Sequence, residues 1–243
     1  MNNAIEVDNV FKTFKVYRDK GFSLKEKLLF WKRNQYEERA VLQGISFIIP
    51  KGQVVGLIGK NGCGKSTTLK LLTRIMYPDK GVIKLDGRVA SLIELGAGFH
   101  PDMSGRENIY INASIFGLTR KEIEKKIDSI IEFSELQEYI DNPVRTYSSG
   151  MYMRLAFAVA INVSADILLV DEILSVGDIT FNRKCFAKME EIRSKGTTIV
   201  IVSHAMDSIK QLCDRVIWLR DGKIIADDKP SIVLSQYTDY MLG

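Results

Sequence analysis

The 243-residue chain is 46% hydrophobic and 26% charged with a net charge of +4, a balance that fits an ordinary soluble globular protein of one large domain or two small ones. No apolar run approaches the roughly 18 residues of a spanning helix, and Met1-Asn2-Asn3-Ala4 does not open like a signal peptide, so the chain is expected in the cytosol. Its basic residues are scattered among acids, so nucleic acid is not an expected partner; Cys63, Cys185 and Cys213 have no metal spacing, and two histidines exclude a histidine-rich metal site.

In chain order, strands are predicted at Ala4 to Val10 and Ile45 to Ile49, followed by a buried strand over Gln53 to Ile58 and an apolar-faced helix opening at Thr67 to Leu72. Val82 to Leu85 and Val89 to Ile93 read as further strands, with Asp86-Gly87 between them as a hairpin turn. From Ser104 to Val163 helical signals dominate. Ser104 with Glu107 and Thr119 with Glu122 form capping boxes, and Ile123, Ile127, Ile130 and Ile131 recur at helical spacing. Asp166 to Val170 and Thr197 to Val202 are continuously apolar and β-branched, as parallel strands buried on both faces are, with a helix from about Phe181 to Arg193 between them. Arg215 to Leu219 and Lys223 to Ala226 flank Asp221-Gly222 as a final hairpin, and Pro230 to Tyr240 is helical.

Between the buried strand and its helix lies Gly59-Lys60-Asn61-Gly62-Cys63-Gly64-Lys65-Ser66, followed by Thr67. This fits the phosphate-binding loop at every fixed position, in its required strand-loop-helix setting. Glycines let backbone N–H groups turn around phosphate oxygens, and the helix N-terminus adds partial positive charge. Lys65 would reach the β and γ phosphates, and Ser66 would offer a hydroxyl to Mg²⁺. Asp171 and Glu172 end an apolar strand where ligands of parallel sheets bind. Asp171 is read as a Mg²⁺ ligand through water, and Glu172 as the group that orients or deprotonates the attacking water. His204 follows the next buried strand, where an imidazole could meet the γ-phosphate or serve a structural role. Ser148, Ser149 and Gly150 open a helix. They read either as an ordinary serine cap or as an anion site lent to another subunit's phosphates.

Tyr147-Ser148-Ser149-Gly150-Met151 resembles the ABC ATPase signature L-S-G-G-Q, with Ser148 and Gly150 retained; Ser175-Val176-Gly177-Asp178 resembles the D-loop, which implies Asp178 as a nucleotide-site residue, and Ser203-His204 resembles the H-loop. The longer stretches Leu92 to Pro101, Arg106 to Ala113 and Ile130 to Leu136 resemble, within that family, ATPases of exporters for O-antigen, teichoic acid and related surface polysaccharides. The resemblance runs over essentially the whole chain. It implies an α/β P-loop NTPase of ABC type, with a parallel core sheet, an antiparallel β subdomain and an inserted helical signature subdomain over 101–163, all within a single domain spanning 1–243.

It further implies an ATP-hydrolysing exporter subunit that binds ATP and Mg²⁺ and works as a homodimer with an integral membrane permease at the cytoplasmic face of the cell membrane. The cargo would be a lipid-linked polysaccharide. Two rivals are an ABC exporter of lipid, drug or lipoprotein and a soluble ABC ATPase acting on nucleic acid or ribosomes. Phe14 stands where the family places an adenine-stacking aromatic; Tyr17 is the alternative stacker, and packing in the first strand is the other reading of Phe14. The Q-loop segment lacks Gln, which leaves Glu94 as either an oxygen ligand for Mg²⁺ or a polar strand end. Within an insertion at 18–39, Ser23-Leu24-Lys25-Glu26 forms a capping box, and Leu24, Leu28 and Trp31 share one helical face. The segment reads as a solvated excursion or, by resemblance, as a gate helix near the membrane surface.

Overall fold

The computed structural model describes residues 2–17, 36–93, 95–171, 178–203 and 205–242. The elements are β1 (Asn3–Tyr17), β2 (Tyr36–Pro50), β3 (Val54–Ile58), α1 (Lys65–Leu72), β4 (Lys80–Leu85), β5 (Val89–Ser91), α2 (Gly105–Ile115), α3 (Arg120–Ser134), α4 (Ser149–Asn162), β6 (Ile167–Asp171), α5 (Ile179–Ser194), β7 (Thr198–Val202), α6 (Met206–Leu212), β8 (Arg215–Arg220), β9 (Lys223–Asp228) and α7 (Pro230–Leu242). Among the described residues no helix is long and apolar enough to cross a membrane.

The unbroken apolar runs have a direct structural reason. Strands in the order β5-β6-β7-β3-β8-β9 form one sheet, parallel except for β9, and its side chains alternate between two separate cores. Val54, Leu168, Val170, Ile199, Ile201, Val216 and Trp218 face the helices α2 to α7. Their sequence neighbours Val55, Leu57, Leu169, Val200, Val202 and Ile217 face α1 and an antiparallel sheet of order β2-β1-β4. A strand buried on both faces has no polar side to show, which is why periodicity is absent from these segments.

The helical region forms as its caps dictate. Ser104 Oγ accepts from Glu107 N while the Glu107 carboxylate accepts from Ser104 N, and Thr119 and Glu122 repeat the exchange at α3. Ile123, Ile127, Ile130 and Ile131 bury one face of α3. Phe133 and Phe157 stack with centroids 6.2 Å apart, and Phe181 meets Phe133 edge-on at 5.6 Å, tying α3 and α4 to α5.

One turn differs from expectation. Asp86-Gly87 does not join a hairpin: Leu85 pairs with Ile5 in the antiparallel sheet, whereas Val89 pairs with Ile167 in the parallel one. The chain crosses between sheets here. Gly87 has φ +132°, and a Cβ on it would lie 2.5 Å from Asp166 Cβ, while Asp166 Oδ2 accepts from Arg88 N at 2.7 Å. Tight packing against the neighbouring loop, and not a reversal, requires the glycine. The Asp221-Gly222 hairpin does form, joining β8 and β9.

Candidate nucleotide site

All five residues of β3 are buried, so the strand delivers Gly59 to the C-terminal edge of the parallel sheet in a fixed position. Gly59 has φ +146°, and a Cβ there would lie 2.2 Å from Leu219 O and 2.6 Å from Cys63 Sγ. Gly64, at φ +114°, is the N-cap of α1, and its Cβ would lie 2.6 Å from Leu42 Cδ2. Gly62 needs its freedom for backbone angle alone, at φ +80°. The loop therefore curls between β8 and β2, leaving the first turn of α1, which holds no acid, facing the cavity.

Lys65 is 6% exposed, and its Nζ donates to Gly59 O at 2.6 Å and to Lys60 O at 3.2 Å. The ammonium thus braces the loop from inside. Thr68 Oγ1 donates to Gly64 O at 2.9 Å and closes the base of the cradle. Burial pushes the Cys63 thiol up, so it is a packing residue with little thiolate character.

A cavity of about 350 Å³ opens over the loop, lined by Asn61, Gly62, Gly64, Lys65, Ser66 and Thr67 below and by Phe14, Val16, Arg39 and Val41 from β1 and β2 above. That size suits a small-molecule site. Phe14 is half-buried at the wall, with Lys12 Nζ 5.7 Å from its ring centroid, so it is not a core residue of its strand. Tyr17 lies farther along the strand against Tyr36, at 5.9 Å, and does not line the cavity.

Asp171 ends β6 half-buried, in register with Val202 of β7, which is itself paired with Leu57 of β3. It therefore stands level with the start of the phosphate loop, two strand spacings or about 10 Å across the sheet. Glu172, His204, Glu94 and the first three D-loop residues lie outside the described residues, as do Leu24, Leu28 and Trp31 of the insertion.

Ser148 caps α4, accepting from Met151 N at 3.2 Å; Ser149 is exposed, Gly150 half-buried, and the first turn carries no acid. The cap reading and the anion-site reading are compatible, because one hydroxyl satisfies one N–H and leaves the others at the helix start. Asp178 caps α5 through Phe181 N at 2.9 Å, and its second oxygen accepts from Arg154 of α4 at 2.6 Å. The Phe181 N–H bond, aided by Arg154, holds this carboxyl below its usual range. Both oxygens are thus engaged within the chain, which makes Asp178 a strut between α4 and α5.

Two features here carry no motif. Lys60 Nζ sits 4.5 Å from the ring centroid of Tyr240 in α7, and Trp218 packs on the same ring at 5.3 Å, so the last helix leans on the loop. Arg154 spans Asp178 and Glu135. Neither partner is near in sequence, so only the assembled fold reveals them.

A phosphate-loop strand central in a parallel sheet, with an acid-ended strand beyond it and an antiparallel sheet over the loop, is the arrangement of the ATP-binding cassette fold. The family profile described as ABC transporter matches residues 42–175, and the chain belongs to that family. It is 49% identical to "O-antigen export system ATP-binding protein RfbB" of Myxococcus xanthus, over 98% of this chain and 56% of that protein. It is 45% identical to the Klebsiella pneumoniae protein of the same name, over 92% and 93%. "Teichoic acids export ATP-binding protein TagH" of Bacillus cereus is 39% identical, over 99% of this chain and 43% of that one. The chain thus spans about half the length of the Myxococcus and Bacillus relatives. Among solved structures, an ATP-binding subunit of an ABC transporter superposes with TM-score 0.77 at 21% identity, over 97% and 93%. A dimeric ATP-binding cassette in a post-hydrolysis state with ADP and Pi gives 0.73 at 20%, over 93% and 98%. At such identities these two share the fold.

Proposed function

We propose that this chain is the ATP-binding and ATP-hydrolysing subunit of an ABC exporter that moves a lipid-linked surface polysaccharide across the cytoplasmic membrane. The observation that carries the reading is the coincidence of a complete phosphate cradle with relatives named for O-antigen and teichoic acid export along nearly the entire chain. In this reading the loop N–H groups of Gly59 to Thr67, including Lys60, Asn61 and Cys63, hold the phosphates, and Phe14 stacks on the adenine. Lys65 exchanges its carbonyl partners for the β and γ phosphates. Ser66 and Asp171 offer hard oxygen atoms of the kind Mg²⁺ takes, with Glu94 a further oxygen on the Q-loop segment. When bound, Mg²⁺ neutralises charge on the phosphates. Glu172 orients the attacking water and receives its proton, and His204 hydrogen-bonds the γ-phosphate.

Ser148 to Gly150 complete the site of a second copy, so two subunits enclose two ATP molecules, with Asp178 setting the spacing between the D-loop and the signature helix. The whole chain acts as one ATPase domain, with 101–163 as its signature subdomain and 18–39 as a gate segment at the membrane surface. A separate integral permease carries the cargo, and the ATPase sits on its cytoplasmic side. Lys65→Ala is expected to weaken ATP binding, and Glu172→Gln to keep binding while nearly abolishing phosphate release. An ATP isotherm for Lys65→Ala identical to wild type, or undiminished turnover in Glu172→Gln, would remove these roles. Copurification of the tagged chain with a membrane permease tests the transport assignment.

A further inference from the structure

β1 and β2 pair Phe14 directly with Arg39, so both side chains stand on the same face of the ladder, above the phosphate loop. Arg39 is exposed and, among the described residues, has no carboxylate or carbonyl partner for its guanidinium. It lines the nucleotide cavity, with its Nη2 atom 3.5 Å from the point a Cβ on Gly62 would occupy. A guanidinium at the rim of a ring of backbone N–H groups adds a mobile full charge where the loop offers only fixed partial ones. Its planar fork matches phosphate oxygens, and such charge-assisted bonds are stronger than neutral ones.

We propose that Arg39 is a nucleotide-binding residue that closes over the phosphate chain of ATP from the β2 side. The proposal rests on the reading of the cavity as an ATP site and adds a contact that the phosphate loop alone does not make. Phe14 on the same face sets the order: a base stacked on Phe14 points its phosphates down to Lys65 and Ser66, and Arg39, whose Nη2 reaches over Gly62, then lies beside the phosphates. Glu37, two residues along the strand, is two positions farther from the loop end of the ladder, paired with Val16.

The test is competition of ATP and of adenosine against a fluorescent ATP analogue, using the full chain as wild type, Arg39→Ala, Arg39→Lys and Lys65→Ala, with thermal melts as the folding control. Arg39→Ala is expected to weaken ATP about tenfold, with adenosine unchanged. Arg39→Lys should recover part of the loss, and raised salt should shrink the difference. Equal ATP affinity in Arg39→Ala and wild type, with Lys65→Ala impaired, would overturn Arg39 while leaving the ATP site standing. Equal loss for ATP and adenosine would overturn the phosphate contact. Failure of wild type to bind ATP at all would remove the parent reading and this one with it.

Discussion

Gly59 meets two constraints that alanine cannot. Its φ of +146° lies outside the range of L side chains, and a Cβ would press within 2.2 Å of the Leu219 carbonyl oxygen. Backbone strain of this kind costs on the order of 1–3 kcal/mol, and the contact with rigid backbone adds to it. Gly117 supplies the control, with φ +85° and nothing within 4 Å of its Cβ position. In urea unfolding, Gly59→Ala is expected to lose at least about 3 kcal/mol and Gly117→Ala about 1 kcal/mol. Equal losses would mean that the packing against β8 is unimportant. The glycines of the loop were legible in sequence because a motif fixes their spacing. Arg39 and Tyr240 were not, since each acts on the loop from a distant strand or helix and neither has a local pattern to mark it.

Between elements, Arg154 is the main polar joint. Its side chain is 20% exposed and reaches Glu135 after α3, at 2.9 Å, and Asp178 before α5, at 2.6 Å, while its guanidinium carbon lies 5.0 Å from the Phe181 ring centroid. Lys184 joins Glu135 as well, at 3.1 Å. Because the carboxylates are substantially exposed, Arg154→Met is expected to cost only about 1–2 kcal/mol in urea unfolding, and less in high salt. A loss unaffected by salt would assign the arginine's worth to its guanidinium resting on the Phe181 ring. The same scale explains where reading the sequence fell short. The capping boxes and the helical face of α3 are local and were readable. The full lengths of β1 and β2 were not, because their outer halves carry residues such as Lys12, Lys15, Glu37 and Glu38 and are held by pairing with each other. The Asp86-Gly87 turn failed for a related reason: a dipeptide reports that the chain bends, and only the partners of the flanking strands decide whether it reverses.

For the whole molecule, the two cores on either face of the parallel sheet set the division of labour. One face carries α1 and the antiparallel sheet, which build the phosphate cavity; the other carries α2 to α7, and the exposed Ser148 and Ser149 at the start of α4 do not line that cavity. In the proposed function, the cradle of one copy and the start of α4 of another make the two halves of one site. Complementation between two disabled variants tests this directly. Lys65→Ala disables the cradle. Gly150→Asp sets a carboxylate at the start of α4, where space is open, with only Ser148 Oγ near at 3.9 Å, and where an acid favours the helix. Each variant alone is expected to hydrolyse little ATP. Mixed, they should form some dimers with one site that bears both defects and one intact site, so phosphate release by the mixture should exceed that of either variant at the same total concentration. A mixture no more active than its components, or full activity of Gly150→Asp by itself, would contradict a shared site.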